Sequence, residues 1–493
     1  MALERITASK RAAVAARSRA RPLATLRTGL SPTTRCFAAA LRQGPLGFVL
    51  ECKHASPSAG VLRHDYDPVA IARAYAPFAS AISVLADEPF FGGSLEHVAA
   101  VAAAVMKPVL CKDIIVDPYQ VYEARAFGAD AVLIMMSVLS PEVATVCLGV
   151  ARELGMDAVV EVRNERELAL ALGFGATLIG INNRDLDTLA IDLDTTLRLA
   201  PQVPASVTLI GESGVASHRD VLRLRPTVDG LLVGSALVRE SDIARAVREL
   251  VFGRIKVCGL TRPGDAACAC AAGACMGGLI FALSSPRVVS LATAREICRA
   301  APLAFVGVFI DAPCELVASH AEALSLAAVQ LHGHEDEAYI RTLRKRLPVS
   351  CAIWRAVAVG PTPLAGTLAS SGRVPGVERL LYDTATAATD SVTYANGTTH
   401  VSSATLAAHA AKAGGTGKAF DWTLLPGPPA RGELVLAGGL GPANAAHADE
   451  LGVWALDVNS GVESAAGIKD PDKLDALFAA LRGHGRHAAK ETA

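Results

Sequence analysis

One stretch of the sequence decides the fold: residues 207–236 read VTLIGESGVASHRDVLRLRPTVDGLLVGSA. Two short apolar runs, Val207–Gly211 and Gly230–Gly234, flank a segment whose apolar residues recur at helical spacing. Each run leads into small residues, Ser213-Gly214 after the first and Gly234-Ser235 in the second. Apolar runs that alternate with helical segments are typical of βα units and a parallel sheet.

The same alternation extends along the whole chain in two series of eight runs. A (β/α)8 barrel needs eight parallel strands and about 250 residues, so a chain of 493 residues is long enough for two. The sequence therefore predicts an α/β fold of two tandem (β/α)8 TIM barrels. The predicted strands are Gly47–Cys52, Ala81–Leu85, Val109–Lys112, Ala131–Met135, Ala158–Val162, Leu178–Asn182, Val207–Gly211 and Gly230–Gly234, followed by Ile255–Cys258, Gly278–Phe281, Phe305–Ile310, Ala327–Leu331, Ala352–Arg355, Leu380–Asp383, Leu434–Ala437 and Ala455–Val458.

These two series set the expected domain boundaries. We expect a first barrel over residues 1–250, beginning with a helical extension over 1–45, and a second barrel over 254–482. The stretch 384–413 is rich in Thr, Ala and Ser and offers few large apolar residues to a core. It is expected to be a mobile inserted loop, with at most a short helix near Ser403–Ala411. Residues 483–493 are expected to form a flexible tail.

The composition excludes several classes of protein. Hydrophobic residues make up 51% of the chain, which excludes global disorder. The 47 Lys and Arg residues are balanced by 48 Asp and Glu, and this argues against a nucleic-acid partner, because phosphate neutralisation needs a basic excess. The eleven cysteines are scattered, with no CxxC pair. We therefore expect a cytoplasmic protein with mostly core thiols and no structural metal.

Two segments could be mistaken for targeting or membrane signals. Residues 266–283 carry no charge, but their Ala and Gly content favours a helix followed by a buried strand over a membrane span. Residues 1–50 hold nine Lys and Arg and one acid, a composition typical of a transit peptide. The helix-like apolar spacing over Leu23–Leu41 leads directly into the first strand. We therefore expect an ordered N-terminal extension and no membrane contact.

Four loops with small residues lie where such barrels commonly bind phosphate, after strands 7 and 8 of each series. Glycine lets backbone N–H groups approach an anion, and a following helix adds a favourable dipole. Four such loops in the same ordinal positions predict two phosphate-bearing ligands. The loops contain Ser213 and Gly214, Gly234 and Ser235, Gly438 and Gly439, and Ser460 and Gly461.

Charged residues end several strands of the first series, so their side chains are expected at the barrel mouth. Glu51 and Lys53 lie two residues apart on strand 1 and point to the same side. Burial of such a set is costly without pairing, and it favours acid–base catalysis over a structural salt-bridge network. The other members of the set are Lys112 on strand 3, Glu161 on strand 5, and Asn182 with Arg184 at strand 6.

Residues 1–250 resemble indole-3-glycerol phosphate synthase. The matching motifs are Glu51–Ser58, Cys111-Lys112-Asp113 and Ile181–Leu186. The resemblance implies cyclisation and decarboxylation of carboxyphenylamino-deoxyribulose phosphate without metal or cofactor. It implies Lys112 as general acid, Glu161 in the dehydration and Lys53 on the substrate carboxylate. In the same way it assigns Glu51 and Asn182 to orientation, Phe91 to the aromatic ring, and Ser56, Arg184, Ser213, Gly214, Gly234 and Ser235 to substrate or phosphate. A basic residue common in the family is replaced here by Ala59.

In the second series, Cys258 ends strand 1 and Asp383 ends strand 6. A thiol at a barrel mouth can act as a base if its pKa is lowered, although a cysteine on an apolar strand is more often a core residue. A thiolate and a carboxylic acid on opposite walls suit proton removal from one carbon and delivery to a neighbouring atom. The pair therefore favours isomerase chemistry.

Residues 254–482 resemble phosphoribosylanthranilate isomerase. The matching pieces include Lys256–Thr261, Ser284–Arg287, Gln330–Gly333 and Asp457–Glu463. The resemblance implies an Amadori rearrangement with Cys258 as general base and Asp383 as general acid. It also implies that Arg287 binds the anthranilate carboxylate, while His332 at the mouth either binds substrate or is structural. The insertion leaves Asp390 as an alternative acid.

The sequence as a whole favours a monomeric bifunctional enzyme that acts on small phosphorylated anthranilate-derived substrates. One alternative is the sugar-isomerising barrel of histidine biosynthesis, which would need an aspartate where this chain has Cys258. A second is a non-enzymatic scaffold pair, which predicts missing acids and bases at the strand ends. A third is the same fusion with only the synthase half active.

Overall fold

The computed structural model describes residues 2–57, 59–185, 188–359, 374–384, 419–427 and 430–486. Contacts divide the chain into two compact units, Met1–Val251 with Arg482–Ala493, and Phe252–Leu481. Each unit contains one closed barrel of eight parallel strands, which confirms the predicted pair of TIM barrels. Asp390, the expected helix at Ser403–Ala411 and nearly all of the expected insertion lie outside the described residues.

The first barrel closes when its first strand pairs in parallel with both its second and its last strand. Gly47 lies opposite Gly230 on one side of the ring, and Val49 lies opposite Ala81 on the other. The predicted strands match these bounds to within one residue. They are β1 Gly47–Cys52, β2 Ala81–Leu85, β3 Val109–Lys112, β4 Ala131–Met135, β5 Asp157–Val162, β6 Leu178–Asn182, β7 Thr208–Glu212 and β8 Gly230–Val233.

Helices surround this barrel, and most begin at a residue whose side chain accepts a backbone N–H. Ser217, for example, caps its helix in a reciprocal box with Asp220. The helices are α1 Ala2–Ala20, α2 Leu23–Arg27, α3 Phe37–Arg42, α4 Pro68–Tyr75, α5 Glu88–Phe91, α6 Leu95–Ala104, α7 Tyr119–Ala126, α8 Pro141–Glu153, α9 Glu165–Gly173, α10 Asp194–Leu199, α11 His218–Leu224, α12 Ser235–Val238 and α13 Ile243–Phe252.

The second barrel has the same ring order. Its fifth strand runs four residues further than predicted, to Val359, because it stays paired with the sixth strand as far as Thr384. The strands are β9 Ile255–Val257, β10 Met276–Ile280, β11 Ala304–Phe309, β12 Ala328–Leu331, β13 Ala352–Val359, β14 Arg379–Thr384, β15 Leu434–Leu436 and β16 Ala455–Val458. The described helices are α14 Pro263–Ala272, α15 Leu291–Ala300, α16 Cys314–Leu324, α17 Glu337–Arg344, α18 Ala445–Glu450 and α19 Pro471–Arg482.

A two-residue period along the strands separates core from mouth inside each barrel. Val49, Leu110 and Val159 belong to the buried core of the first barrel. Two residues later along the same strands come Glu51, Lys112 and Glu161, whose side chains point to the same side, one layer nearer the carboxyl end. The same step leads from Leu381 to Asp383 and from Ala455 to Asp457 in the second barrel. The strand period therefore places the polar layer directly above an apolar one.

The N-terminal extension is ordered and helical, as expected. Within Leu23–Leu41, where the apolar spacing is helix-like, the structure has two short helices, α2 and α3, separated by nine residues. Gly29 adopts a positive φ of 87° in that separation, and Pro32 follows it. These two residues interrupt the helix that the apolar spacing alone would continue.

Residues 483–486, expected to belong to a flexible tail, lie against the first unit. Arg486 Nε is 3.0 Å from Asp229 Oδ2, and the backbone N–H of Leu46 donates to the carbonyl of Gly483. Residues 487–493 lie outside the described residues.

The uncharged stretch at 266–283 forms the end of α14 and the strand β10, as predicted. In the described part of the chain, we find no helix with both the length and the apolar character that crossing a membrane requires.

Candidate active sites

The first barrel has a cavity at the carboxyl ends of its strands, and it collects most of the predicted residues of that half. Leu3 and Ile6 of α1 also line it, as do Asp87 and Asp113. Gly214 and Gly234 are not part of the lining but lie next to residues that are. The predicted residues in the lining are Glu51, Lys53, Ser56, Phe91, Lys112, Glu161, Asn182, Arg184, Ser213 and Ser235.

Lys112 lies between two buried carboxylates. Its Nζ is 3.2 Å from Glu212 Oε2 and 3.7 Å from Glu51 Oε2. Burial opposes the charge on Lys112, but Glu212, Glu51 and Glu161 outweigh it and raise the pKa of the ammonium. Lys112 is therefore charged at neutral pH, the state in which it can donate a proton.

Lys53, the residue that directly follows strand β1, completes this charged layer. Its Nζ is 3.3 Å from Glu51 Oε1, and it lies 5.8 Å from the centre of the Phe91 ring. Burial favours the neutral form of Glu51, yet Lys53 and Lys112 lower the pKa of this carboxyl below its usual value. Glu51 is therefore the ionised partner that both lysines share.

Glu161 differs from Glu51 because its pKa lies above the usual value for a carboxyl group. Burial and the neighbouring carboxylate of Glu212 raise its pKa to about 7, against a smaller opposing effect of Lys112. Its Oε1 atom accepts no hydrogen bond within the described residues. Three carboxyl groups face two lysines in this layer, and Glu161 is the one positioned to take up and release a proton near neutral pH.

Glycine is required at two positions of the predicted phosphate loops, Gly234 and Gly214. A Cβ on Gly234 would lie 2.7 Å from Glu51 Oε1, so this position admits no side chain beside the charged layer. Ser213 and Gly214 both have positive φ, 64° and 88°, which turns the chain sharply after β7. The loops therefore bring backbone groups close to the cavity, as anion binding requires.

Sequence reasoning missed Glu212, the last residue of β7. It is 1% exposed and contacts Lys112, which sets the charge balance of the site. Helix α1 also lines the cavity, and it belongs to the N-terminal extension whose helices the family resemblance implies over the barrel mouth. Lys10 of α1 lies 2.7 Å from Asp87 and 2.6 Å from Asp113, two residues at the mouth, and so anchors the helix there. The position of Glu212 at the end of a strand was the available signal.

The second barrel has a cavity at the same end. Cys258, Asp383 and His332 line it together with Ser284 and Ser285. Arg287 and Gly461 are not part of the lining. The other predicted residues that line it are Gly438, Gly439 and Ser460, and the polar residues that the sequence analysis left unassigned are Gln330, Asp457 and Asn459.

Asp383 and His332 face each other across this cavity. His332 Nε2 is 3.6 Å from Asp383 Oδ2, and His332 Nδ1 lies 3.2 Å from the side-chain nitrogen of Gln330. Burial raises the pKa of Asp383 and lowers the pKa of His332. Both shifts favour the neutral forms, so Asp383 is biased towards the protonated state that a general acid needs.

Arg287 lies beside Cys258 and is held by an acidic partner. A Cβ on Gly259, the residue after Cys258, would lie 2.6 Å from Arg287 Cδ. Arg287 Nε and Nη2 donate to Glu463 at 2.9 and 2.7 Å. Among the described residues, no hydrogen-bond partner is found for its Nη1 group.

The glycine loops of this barrel are also set by close approach. Gly438 has a φ of 84°, and a Cβ there would lie 2.8 Å from Asp383 Oδ1. A Cβ on Gly461 would overlap the carbonyl of Leu440 in the neighbouring loop. These positions keep the two loops against each other and against the acid.

Among the described residues, no group of three or more His, Cys, Asp or Glu side chains is arranged to hold a metal ion. All eleven cysteines lie in the described ranges and none forms a disulfide. Eight of them are buried, which agrees with the expected core thiols.

Comparison with known proteins matches each half of the chain to a family. Residues 3–250 match the family described as indole-3-glycerol phosphate synthase, and residues 255–480 match N-(5'-phosphoribosyl)anthranilate isomerase. A relative from Yersinia pestis, described as "Tryptophan biosynthesis protein TrpCF", is 47% identical over 97% of this chain and 94% of its own. Proteins with the same description from Salmonella typhi and Helicobacter pylori are 44% and 39% identical, over 98% and 92% of this chain and 99% and 93% of theirs.

Proposed function

Because the chain belongs to the family that joins indole-3-glycerol phosphate synthase to phosphoribosylanthranilate isomerase, we propose that each barrel mouth carries one of the two reactions. The chain is a bifunctional enzyme of tryptophan biosynthesis. Its second barrel isomerises N-(5'-phosphoribosyl)anthranilate to carboxyphenylamino-deoxyribulose phosphate. Its first barrel cyclises and decarboxylates that product to indole-3-glycerol phosphate.

In the first barrel, we propose that Lys112 protonates the substrate carbonyl as the new ring closes. Lys53, next to the Phe91 ring, binds the substrate carboxylate that later leaves as carbon dioxide. Glu161 then moves the proton needed for loss of water, which its pKa near 7 supports. Glu51 and Asn182 orient these groups, while the phosphate lies at the loops after β7 and β8.

In the second barrel, we propose that Asp383 donates a proton to the ring oxygen of the ribose and opens the ring. Cys258 then removes the proton from C2 of the opened sugar, next to the carbon that carries the nitrogen. The carbonyl group of the product therefore forms at C2. Arg287 binds the anthranilate carboxylate through the nitrogen that Glu463 leaves free. The phosphate lies at the loops of Gly438, Gly439, Ser460 and Gly461. Both proposed mechanisms move protons between side chains and substrate and need no cofactor.

One observation carries this division of labour: each cavity has its own acid–base groups and its own pair of glycine loops after the last two strands. Assaying the two half-reactions separately on the purified chain tests it. Turnover of both substrates supports the proposal, and a chain that turns over only one has a single working site.

We also propose that the enzyme acts as a monomer in the cytoplasm. None of its eleven cysteines forms a disulfide, which fits a reducing compartment. Each cavity is lined by residues of its own unit. Sedimentation at working concentration checks the oligomeric state.

Glu161→Gln is expected to stabilise the first unit in a pH-dependent way. Its folded pKa of about 7 exceeds the ordinary value of 4.5, so its contribution to stability is complete below pH 4.5 and is lost as the pH rises to 7. The neutral variant avoids that loss. We expect a gain of about 2–3 kcal/mol at pH 8 and less than about 1 kcal/mol at pH 5, measured by denaturant unfolding.

Glu51→Gln is the matched control, because Lys53 and Lys112 lower the pKa of Glu51 instead of raising it. Its stabilising ion pairs are present above pH 4.5, so this variant should lose stability at pH 8 and lose less in acid. Equal effects of Glu161→Gln at pH 5 and pH 8 would contradict the assigned ionisation.

Arg287→Lys is expected to raise the KM of the isomerase reaction about ten- to a hundredfold with a smaller change in kcat. A hydrogen bond to a charged group contributes about 1.5–3 kcal/mol, and lysine lacks the planar fork that can hold Glu463 and the substrate at once. Steady-state kinetics with N-(5'-phosphoribosyl)anthranilate measure the change. The synthase reaction of the same variant is the control, and an unchanged KM would remove Arg287 from the binding site.

A further inference from the structure

Lys256 of β9 ends in a fully buried ammonium group with three acceptors. Its Nζ lies 3.1 Å from Cys258 Sγ, 3.0 Å from Gln330 Oε1 and 2.7 Å from Asp457 Oδ2. Its side chain is 0% exposed. A lysine has three N–H donors only when it is charged, so this arrangement uses the ammonium form completely.

The geometry of strand β9 places the side chain of Lys256 next to the thiol of Cys258. Residues 256 and 258 lie two apart, so both side chains point to the barrel interior and Lys256 lies one layer below Cys258. Gly278 on the neighbouring strand leaves room for the pair. A Cβ there would lie 2.6 Å from Cys258 Sγ and 3.0 Å from Lys256 Cε.

We propose that Lys256 is a positioning residue of the isomerase site, whose ammonium group stabilises the thiolate of Cys258, and that Asp457 limits this effect by sharing the same ammonium. The proposal rests on the assignment of Cys258 as the base. During the reaction the thiolate takes the proton from substrate carbon and becomes a thiol, while Lys256 keeps all three of its protons. Cys258 then gives that proton to the substrate carbon bonded to nitrogen, while the enol hydroxyl returns a proton to Asp383 and becomes the carbonyl, so that both side chains end in their starting states.

The charges around the thiol support opposite effects of the two partners. Burial and Asp457 raise the pKa of Cys258 above that of a free thiol, and Lys256 and the more distant Lys469 offset this rise only in part. Burial opposes the charge on Lys256, but Asp457 and Cys258 restore it and raise its pKa. The other ionisable groups of this cavity and its rim are Asp383, His332, and Arg287 with its partner Glu463.

A purely structural ion pair between Lys256 and Asp457 predicts a different outcome. Loss of either partner would then lower stability without moving the titration of the thiol. The two interpretations therefore separate on the reactivity of Cys258, which is measured without turnover.

The test is alkylation of the full-length chain with iodoacetamide from pH 5 to pH 10, with the modification of each cysteine followed by peptide mass spectrometry. Lys256→Met should shift the midpoint for Cys258 upwards by at least about one pH unit, and the acid limb of isomerase kcat/KM should shift with it. Asp457→Asn should shift the midpoint downwards. Exposed Cys36 should react identically in all three proteins, and fully buried Cys275 should stay unreactive.

An unchanged midpoint in Lys256→Met, or shifts in the same direction for both variants, overturns the proposal. If Cys275 becomes reactive in Lys256→Met, that variant has lost its fold, and the near-isosteric Asp457→Asn decides alone: a lower midpoint supports the proposal and an unchanged or higher one overturns it. If Cys258→Ala keeps isomerase activity, the assignment of the base fails, whereas the alkylation result still stands separately.

Discussion

Replacing Lys112 with alanine is expected to abolish formation of indole-3-glycerol phosphate while the isomerase reaction stays nearly unchanged. Lys112 is the charged donor of the first cavity, held 3.2 Å from Glu212 and 3.7 Å from Glu51. Loss of general acid catalysis typically costs about 10²- to 10⁴-fold in rate. Steady-state assays of each half-reaction with its own substrate measure the effect.

This variant leaves three buried carboxyl groups facing a single lysine, so its fold must be checked by thermal unfolding. Lys112→Met, which fills the same volume, is the matched variant. Lys53→Met asks which of the two lysines is the main acid, since a larger loss there would transfer that role to Lys53. Comparable loss of both activities in a folded Lys112→Ala protein would mean a shared site and would contradict the assignment of one reaction to each barrel.

Replacing Cys258 with alanine is expected to reduce the isomerase rate by a similar acid–base factor, about 10²- to 10⁴-fold, and to spare the synthase. The thiol lines the second cavity and has the buried ammonium of Lys256 3.1 Å away. Alkylation of Cys258 should reproduce the loss, and a substrate analogue should protect against it. Near-full isomerase activity in Cys258→Ala would make Cys258 a core residue and place the base elsewhere.

Asp383→Asn is the companion variant for this prediction, because it removes the acid from the same cavity. Its kcat should fall while alkylation of Cys258 continues, which separates the acid from the base. If both variants lost the synthase reaction as well, the effect would be global rather than local to the second barrel.

Much of the fold can be predicted from the sequence because two patterns alternate along it, short apolar runs and segments with helical spacing. Apolar runs such as Ala131–Met135 are short and bounded by turns, and the segments between them have helical spacing. Parallel strands joined by helices then have one common arrangement for eight repeats, the closed ring. The spacing of apolar residues does not show where a helix is interrupted by a single residue, as happens at Gly29 and Pro32 between α2 and α3.

The candidate sites are predictable where a charged residue lies at or next to the end of an apolar strand, as Glu51, Lys112 and Asp383 do. Glu212 and Asp457 occupy similar positions, but their importance depends on partners far away in sequence. Asp457 meets Lys256 across 201 positions of the chain, and Lys256 itself lies within an apolar strand where sequence alone gives no sign of a second role. Distances measured across the closed barrel identify these partners, which the pattern of strands in the sequence does not.

The same limit applies to ionisation. The sequence places Glu51 and Glu161 in one charged set, but their pKa values shift in opposite directions. Two lysines flank Glu51, whereas Glu161 faces the carboxylate of Glu212 as well as Lys112. Only the neighbours in the folded structure distinguish Glu51, the ionised partner of the two lysines, from Glu161, which can exchange protons near neutral pH.

Mixing the two single-site variants shows whether the two barrels carry separate reactions in the proposed order. N-(5'-phosphoribosyl)anthranilate is supplied to Lys112→Ala alone, to Cys258→Ala alone, and to an equimolar mixture, with both products followed by chromatography. We expect carboxyphenylamino-deoxyribulose phosphate to accumulate with the first variant, little conversion with the second, and indole-3-glycerol phosphate to form only in the mixture. Formation of indole-3-glycerol phosphate by Lys112→Ala alone, or none in a mixture of folded variants, would contradict two separate sites that act in this order.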